Sequence, residues 1–161
     1  MFVAGGPNGD NGLAGKKLVV DAYGPTVPIG GGAWSGKDLH KVDRLGGLLA
    51  RSLAKTAVLT GLCDEALVTL EYTPGCDRPT GISARLDGAE YGEGLLEKLG
   101  GFEVGNQAVW AQYVAWKGSL VELARWGHQL PETPWEDGAQ SGGKFRGGVP
   151  RYGTGSAYVE A

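Results

Sequence analysis

Forty residues near the start of the chain, Gly5 to Arg44, restrict its fold more than any other stretch: they read GGPNGDNGLAGKKLVVDAYGPTVPIGGGAWSGKDLHKVDR. Two glycine-rich loops flank one short apolar strand, Leu18 to Tyr23, and each loop ends in lysine. Glycine permits tight turns at positive φ and close backbone approach, so N–H and ammonium groups in such loops converge on an anion. A polyphosphate is the expected anion. The second loop fits G-x-x-x-x-G-K over Gly31 to Lys37, but Asp38 stands where a P-loop places Ser or Thr for magnesium, which argues against an ordinary P-loop.

The cations are concentrated there. Lys16, Lys17, Lys37, Lys41 and Arg44 all lie in the opening quarter of a chain whose net charge is −3, so a compact anion is favoured and a general nucleic-acid face is not. The 161 residues, 42% hydrophobic, suffice for one domain with a real core. No apolar run approaches the roughly 20 residues that span a bilayer, and residues 1–5 carry no signal-peptide pattern, so a cytoplasmic location without membrane contact is expected. In that compartment Cys63 and Cys76 stay reduced; neither has metal-ligand spacing, and both read as structural.

Along the chain, residues 17–23 read as a strand stopped by Pro25 and Pro28. Ser35 or Asp38 is placed to cap a helix from about Leu39 to Thr60, with Val42, Leu45, Leu48, Leu49, Leu53, Ala57 and Val58 on one stripe and Gly61 ending it. If that helix starts early, Lys37, Lys41 and Arg44 share a face at its N-terminus, where the helix dipole also favours anions. Residues 66–73 and 81–86 read as an antiparallel strand pair around the Pro74-Gly75 and Arg78-Pro79 turns. Residues 93–99 read as a short helix. A longer amphipathic stretch, about 107–126, is interrupted near Gly118, with Trp110, Tyr113, Trp116, Leu120 and Leu123 as core anchors. His40 and His128 show no partner in the sequence and read as structural or exposed. The expected organisation is a glycine/lysine-rich phosphate-binding segment over 1–44, an α+β unit over 45–137 and a loosely ordered tail over 138–161.

The residues Phe2-Val3-Ala4-Gly5-Gly6-Pro7, Gly9-Asp10, Gly12-Leu13, Gly15-Lys16-Lys17, Val20-Asp21, Tyr23-Gly24, Gly30 through Asp38 and Lys41-Val42-Asp43-Arg44 together resemble methionine adenosyltransferase (S-adenosylmethionine synthetase). Thinner matches continue at Gly127-His128 and Pro134-Trp135-Glu136. The resemblance covers only the last part of that family's polypeptide; its His-Pro-Asp loop and Gly-Asp-Gln-Gly segment have no counterpart here. It implies an α+β fold, sheets with helices on one face, forming part of three pseudo-symmetric units. It also implies formation of S-adenosylmethionine from ATP and methionine, with release of phosphate and pyrophosphate, and magnesium and potassium as cofactors.

By the same resemblance, Lys37 and Lys17 match phosphate-binding lysines, and Lys16 stands where the family has arginine. Asp43 matches a magnesium ligand and Lys41 a lysine near methionine and the phosphates. Asp10 matches the carboxylate that receives methionine's amino acid group, and Phe2 the ring that stacks on adenine. Ile29 replaces a common histidine, Trp34 replaces phenylalanine or tyrosine, and Pro74 replaces an isoleucine of the substrate pocket. The implied partner is a complementary N-terminal synthetase chain, in an oligomer with active sites at a subunit interface; Met1 directly before the match favours a short gene or a deliberate cut. The alternatives are a non-catalytic regulatory or phosphate-binding subunit and, more remotely, a free-standing triphosphatase.

Overall fold

Helix α1, Val42–Leu59, is the axle of the fold. Its apolar positions recur at helical spacing, and the expected stripe is inside: Leu45, Leu48, Leu49, Leu53 and Ala57 are buried, with Val42 and Val58 half-buried. Burial goes further than one stripe, since every residue from Leu45 to Ala57 except Lys55 is buried. Elements therefore pack on more than one side of it. Gly61 ends α1 as expected: at φ +75° it donates its N–H to the Val58 carbonyl while Leu62 donates to Ala57, a Schellman closure. The computed structural model describes residues 4, 8, 23, 27, 30, 31, 34, 37–116, 118, 119, 121–123 and 128–136, together with the backbone of 156–160.

Two glycines in the second turn of α1 look costly, since each is about 1 kcal/mol worse than alanine inside a helix. The neighbours explain them. A β-carbon on Gly47 would collide with the Trp34 indole, and one on Gly46 would stand 2.7 Å from the Tyr72 ring. Both aromatic residues are buried, Trp34 at 4% exposure and Tyr72 at 8%, so the missing side chains are replaced by large apolar contacts.

The sheet lies against α1. Strands β1, Ala66–Glu71, and β2, Gly81–Leu86, are antiparallel, with Ala66 opposite Leu86 and Glu71 opposite Gly81. Period-two alternation turns Ala66, Val68 and Leu70 inward. A two-residue Asp87-Gly88 turn, both at positive φ, folds β2 back onto a short β3, Ala89–Tyr91. Ser156–Glu160, within the stretch read as a tail, forms β4 parallel to β1, giving the order β3-β2-β1-β4. The rest of 138–161 lies outside the described residues.

Helix α2, Gly94–Lys98, and helix α3, Asn106–Ala115, complete the described elements. The amphipathic stretch expected over about 107–126 is interrupted close to the expected place: Trp116, with extended backbone (φ −65°, ψ 125°), breaks the helix two residues before Gly118, and residues 121–123 are helical again. Tyr113 and Leu123 are buried as expected, Trp110 and Trp116 half-buried, and Leu120 lies outside the described residues. The expected strand 17–23 also lies outside them apart from Tyr23, whose backbone is helical. Both cysteines are free thiols, Cys63 buried and Cys76 exposed. Among the described residues no helix is long and apolar enough to cross a membrane.

Candidate functional site

Three of the cationic residues, Lys37, Lys41 and Arg44, lie where the glycine loop enters α1. Expectation placed a Ser35 or Asp38 cap on an early helix; instead the helix begins at Val42, and Lys41 is an N-cap without a side-chain hydrogen bond. Asp38 is used one step upstream. Its Oδ1 accepts the His40 N–H at 2.9 Å and its carbonyl accepts the Lys41 N–H at 3.2 Å, a turn that competes with helical hydrogen bonding. Lys37 and Lys41 consequently precede the helix rather than lying on its face.

That turn folds Lys37 back over the first turn of α1. Its ammonium pairs with the carboxylate of Asp43, while the Arg44 guanidinium donates to the Lys37 carbonyl. The Asp43 carboxylate lies against Gly31, where a β-carbon would collide with it, so glycine at this position is needed for the close approach. The Lys37–Asp43 pair is about a quarter exposed, 26% and 27%, and such a pair adds little to stability. Lys37, Lys41 and Arg44 outnumber Asp38 and Asp43, and the α1 N-terminus adds a partial positive charge. Burial pulls the Arg44 guanidinium below its usual value, an effect that Asp38 opposes. A polyanion arriving at Lys37 would compete with one half-buried carboxylate.

Of the residues to which the resemblance gives roles, the structure brings Lys37 and Asp43 together and sets Lys41, exposed, at the helix entry. Phe2, Asp10, Lys16 and Lys17 lie outside the described residues. Among those described, no three His, Cys, Asp or Glu side chains gather as metal ligands. Asp43 offers one carboxylate, which suits magnesium only where phosphate oxygens and water complete the shell.

A second layer, not anticipated from the residues, backs this loop. Arg51 makes a two-point ion pair with Glu136, one arm at 2.9 Å, with side chains only 9% and 6% exposed; Lys55 reaches the same carboxylate at 3.5 Å. Arg51 Nη1 also donates to the Tyr23 hydroxyl at 3.1 Å, and that hydroxyl is hydrogen-bonded to Nε2 of His128. The His128 ring stands 4.6 Å from Trp34 and 5.5 Å from Tyr23, and its carbonyl accepts the Trp135 indole N–H. So His128, expected to lack partners, has three. Burial, then Arg51 and Arg44, hold it neutral, with its pKa pulled down to about 3. His40, though exposed, is stacked 4.5 Å from Trp110 on α3. The sequence signals for this layer are an arginine inside an apolar helix and the matches at Tyr23, Trp34, His128 and Glu136.

Comparison with known proteins bears on the same residues. Residues 4–136 match the family model described as "S-adenosylmethionine synthetase, C-terminal domain". Proteins named S-adenosylmethionine synthase are similar to the chain. The one from Deinococcus radiodurans is 45% identical over 143 residues, covering 84% of this chain and 34% of the relative. That from Methylobacterium nodulans is 52% identical over 99 residues, 61% of this chain and 25% of the relative. A third, from Cytophaga hutchinsonii, is 39% identical over 153 residues, 89% and 36%. The chain thus spans about a third of the length of these relatives.

Proposed function

We propose, since the chain belongs to the S-adenosylmethionine synthetase family and matches its C-terminal domain, that it supplies the triphosphate-binding side of a methionine adenosyltransferase site. In this reading the methionine sulfur attacks C5′ of ATP and forms the sulfonium, tripolyphosphate leaves, and water then splits it to pyrophosphate and phosphate. Sulfur needs no general base. The barrier lies in the negative charge that builds on the leaving triphosphate, which preorganised cations stabilise. The observation that carries the reading is the Lys37 ammonium held at the N-terminus of α1 beside Arg44 and above Asp43.

Lys16, Lys17 and Lys37 are assigned to the triphosphate, Lys41 to the zone between phosphates and methionine, Asp10 to the methionine amino acid group, and Phe2 to adenine. Asp43 is assigned to magnesium, which when bound neutralises phosphate charge; a single carboxylate beside substrate phosphates is an ordinary magnesium arrangement. An ammonium at Lys16 cannot reproduce the bidentate grip of arginine, so weaker phosphate affinity or weaker hydrolysis of the triphosphate is expected. Potassium, action in the cytoplasm, and an oligomer with sites at a subunit interface belong to the same reading.

The remaining two thirds of the relatives' length is proposed to provide the other half of the site. The test is to combine this chain with the N-terminal two thirds of a relative and to assay S-adenosylmethionine formation from ATP and methionine. Turnover is expected from the assembled enzyme and not from this chain alone; robust turnover by the chain alone, or none after assembly, overturns the reading. A full-length synthetase that requires this chain yet tolerates Lys37→Met would instead favour a non-catalytic regulatory subunit.

A further inference from the structure

We infer that Glu136 is a positioning residue for the loop that carries Lys37, acting through Arg51, Tyr23, His128 and Trp34. The connections are continuous. Glu136 holds the Arg51 guanidinium by two hydrogen bonds, which fixes its plane and aims Nη1 at the Tyr23 hydroxyl, 3.1 Å away. Arginine only donates, so the Tyr23 oxygen accepts there and has its own proton free to give. Given to Nε2 of His128, its hydrogen-bond partner, that proton pairs with a neutral ring whose own proton is on Nδ1.

The ring so fixed lies 4.6 Å from the indole of Trp34, and Trp34 is locked from its other side by the space above Gly47. The Trp34 carbonyl accepts the Lys37 N–H at 3.2 Å. A carboxylate 99 positions further along the chain than Lys37 therefore sets where the lysine's backbone stands. Glu136 has no role toward substrate in this arrangement; it is buried, with Arg51 and Lys55 as its partners. The rings of Trp34, Tyr23 and His128 pack against one another, with centroids 4.6 to 6.3 Å apart.

This inference rests on the phosphate role proposed for Lys37, and the experiment separates the two. In the enzyme assembled with the N-terminal two thirds of a relative, kcat and the methionine KM are measured for the parent, Glu136→Gln, Lys37→Met and the double variant. Displacing a cationic group by about 1 Å costs up to about a hundred-fold, so Glu136→Gln is expected to lower kcat ten- to a hundred-fold and leave the methionine KM within about two-fold. In the Lys37→Met background the same substitution is expected to cost almost nothing, because the group it positions is gone. An equal factor in both backgrounds, or no loss in the parent, overturns the inference and leaves the role of Lys37 standing. An unaffected Lys37→Met overturns the proposed function itself. Should Glu136→Gln not assemble, Tyr23→Phe keeps the ring and the buried ion pair, removes the hydroxyl relay, and is read by the same comparison.

Discussion

The indole of Trp34 fills the space that a side chain on Gly47 would occupy, so Trp34 meets α1 by a fit of shape rather than by a hydrogen bond. Among the described residues nothing accepts the buried Trp34 Nε1–H. Gly47→Ala gains about 1 kcal/mol of helix propensity, yet overpacking a tight core contact costs about 1–3 kcal/mol. A net loss of about 1 kcal/mol is expected in urea unfolding. A stabilised variant would mean that Trp34 swings clear at no cost.

For Lys37 the expectation is kinetic. If its ammonium meets charge that develops on the departing triphosphate, Lys37→Met lowers kcat and kcat/KM together, by about a hundred- to a thousand-fold in the assembled enzyme. Lys98→Met is the control, because Lys98 is exposed at the end of α2 over the Tyr91 ring, 5.4 Å from its centre. Its rate is expected to match the parent. Single-turnover kinetics, with a check that each variant still assembles, decide the matter.

How much of this was legible in the sequence depends on how local each signal is. The α1 stripe and its stop at Gly61 follow from 3.6-residue periodicity and a glycine at the C-terminus, and both are where they were expected. β1 and β2 followed from short apolar runs around Pro74-Gly75. β3 was missed although Asp87-Gly88 is a strong two-residue hairpin signal, because Ala89–Tyr91 is only three residues long. The helix expected from about Leu39 begins at Val42, and the meeting of Lys37 with Asp43 comes from the turn before it, which periodicity does not report. The Arg51–Glu136 pair joins residues 85 apart, and no window along the chain brings them together.

Removing one member of that pair is expected to be severe. Arg51→Met leaves Glu136 buried with only Lys55, at 3.5 Å, near its carboxylate, and breaking a buried pair in this way costs about 3–5 kcal/mol. Arg51→Met combined with Glu136→Leu is expected to recover most of the loss, since no charge is then stranded. Denaturant midpoints of the two single variants and the double measure it; a double variant as unstable as the sum of the singles would contradict it.

Acid sensitivity should trace to His128. Its pKa is pulled from the usual 6.5 to about 3 in the fold, chiefly by burial, so the unfolded chain takes up a proton first as pH falls. The stabilising effect of the neutral ring is complete above about pH 6.5 and is lost on the way down to about pH 3. Its slope is at most about 1.4 kcal/mol per pH unit. His128→Phe keeps a ring against Trp34 and removes the proton site. Unfolding free energies at pH 7, 6 and 5 are expected to fall more steeply for the parent than for this variant, and parallel lines would refute the assignment.

The contrast in exposure between the two ion pairs sets how the molecule answers to ionic strength. Lys37 and Asp43 are about a quarter exposed and stand within reach of dissolved ions, whose screening length is about 8 Å at physiological salt, whereas Arg51 and Glu136 are shielded. Concentrated salt is expected to wash a bound polyanion from the lysine loop while the support beneath it holds. In the proposed reading, triphosphate is then expected to come off in concentrated salt and to rebind when the salt is dialysed away against buffer containing it, with the tryptophan environment unchanged throughout.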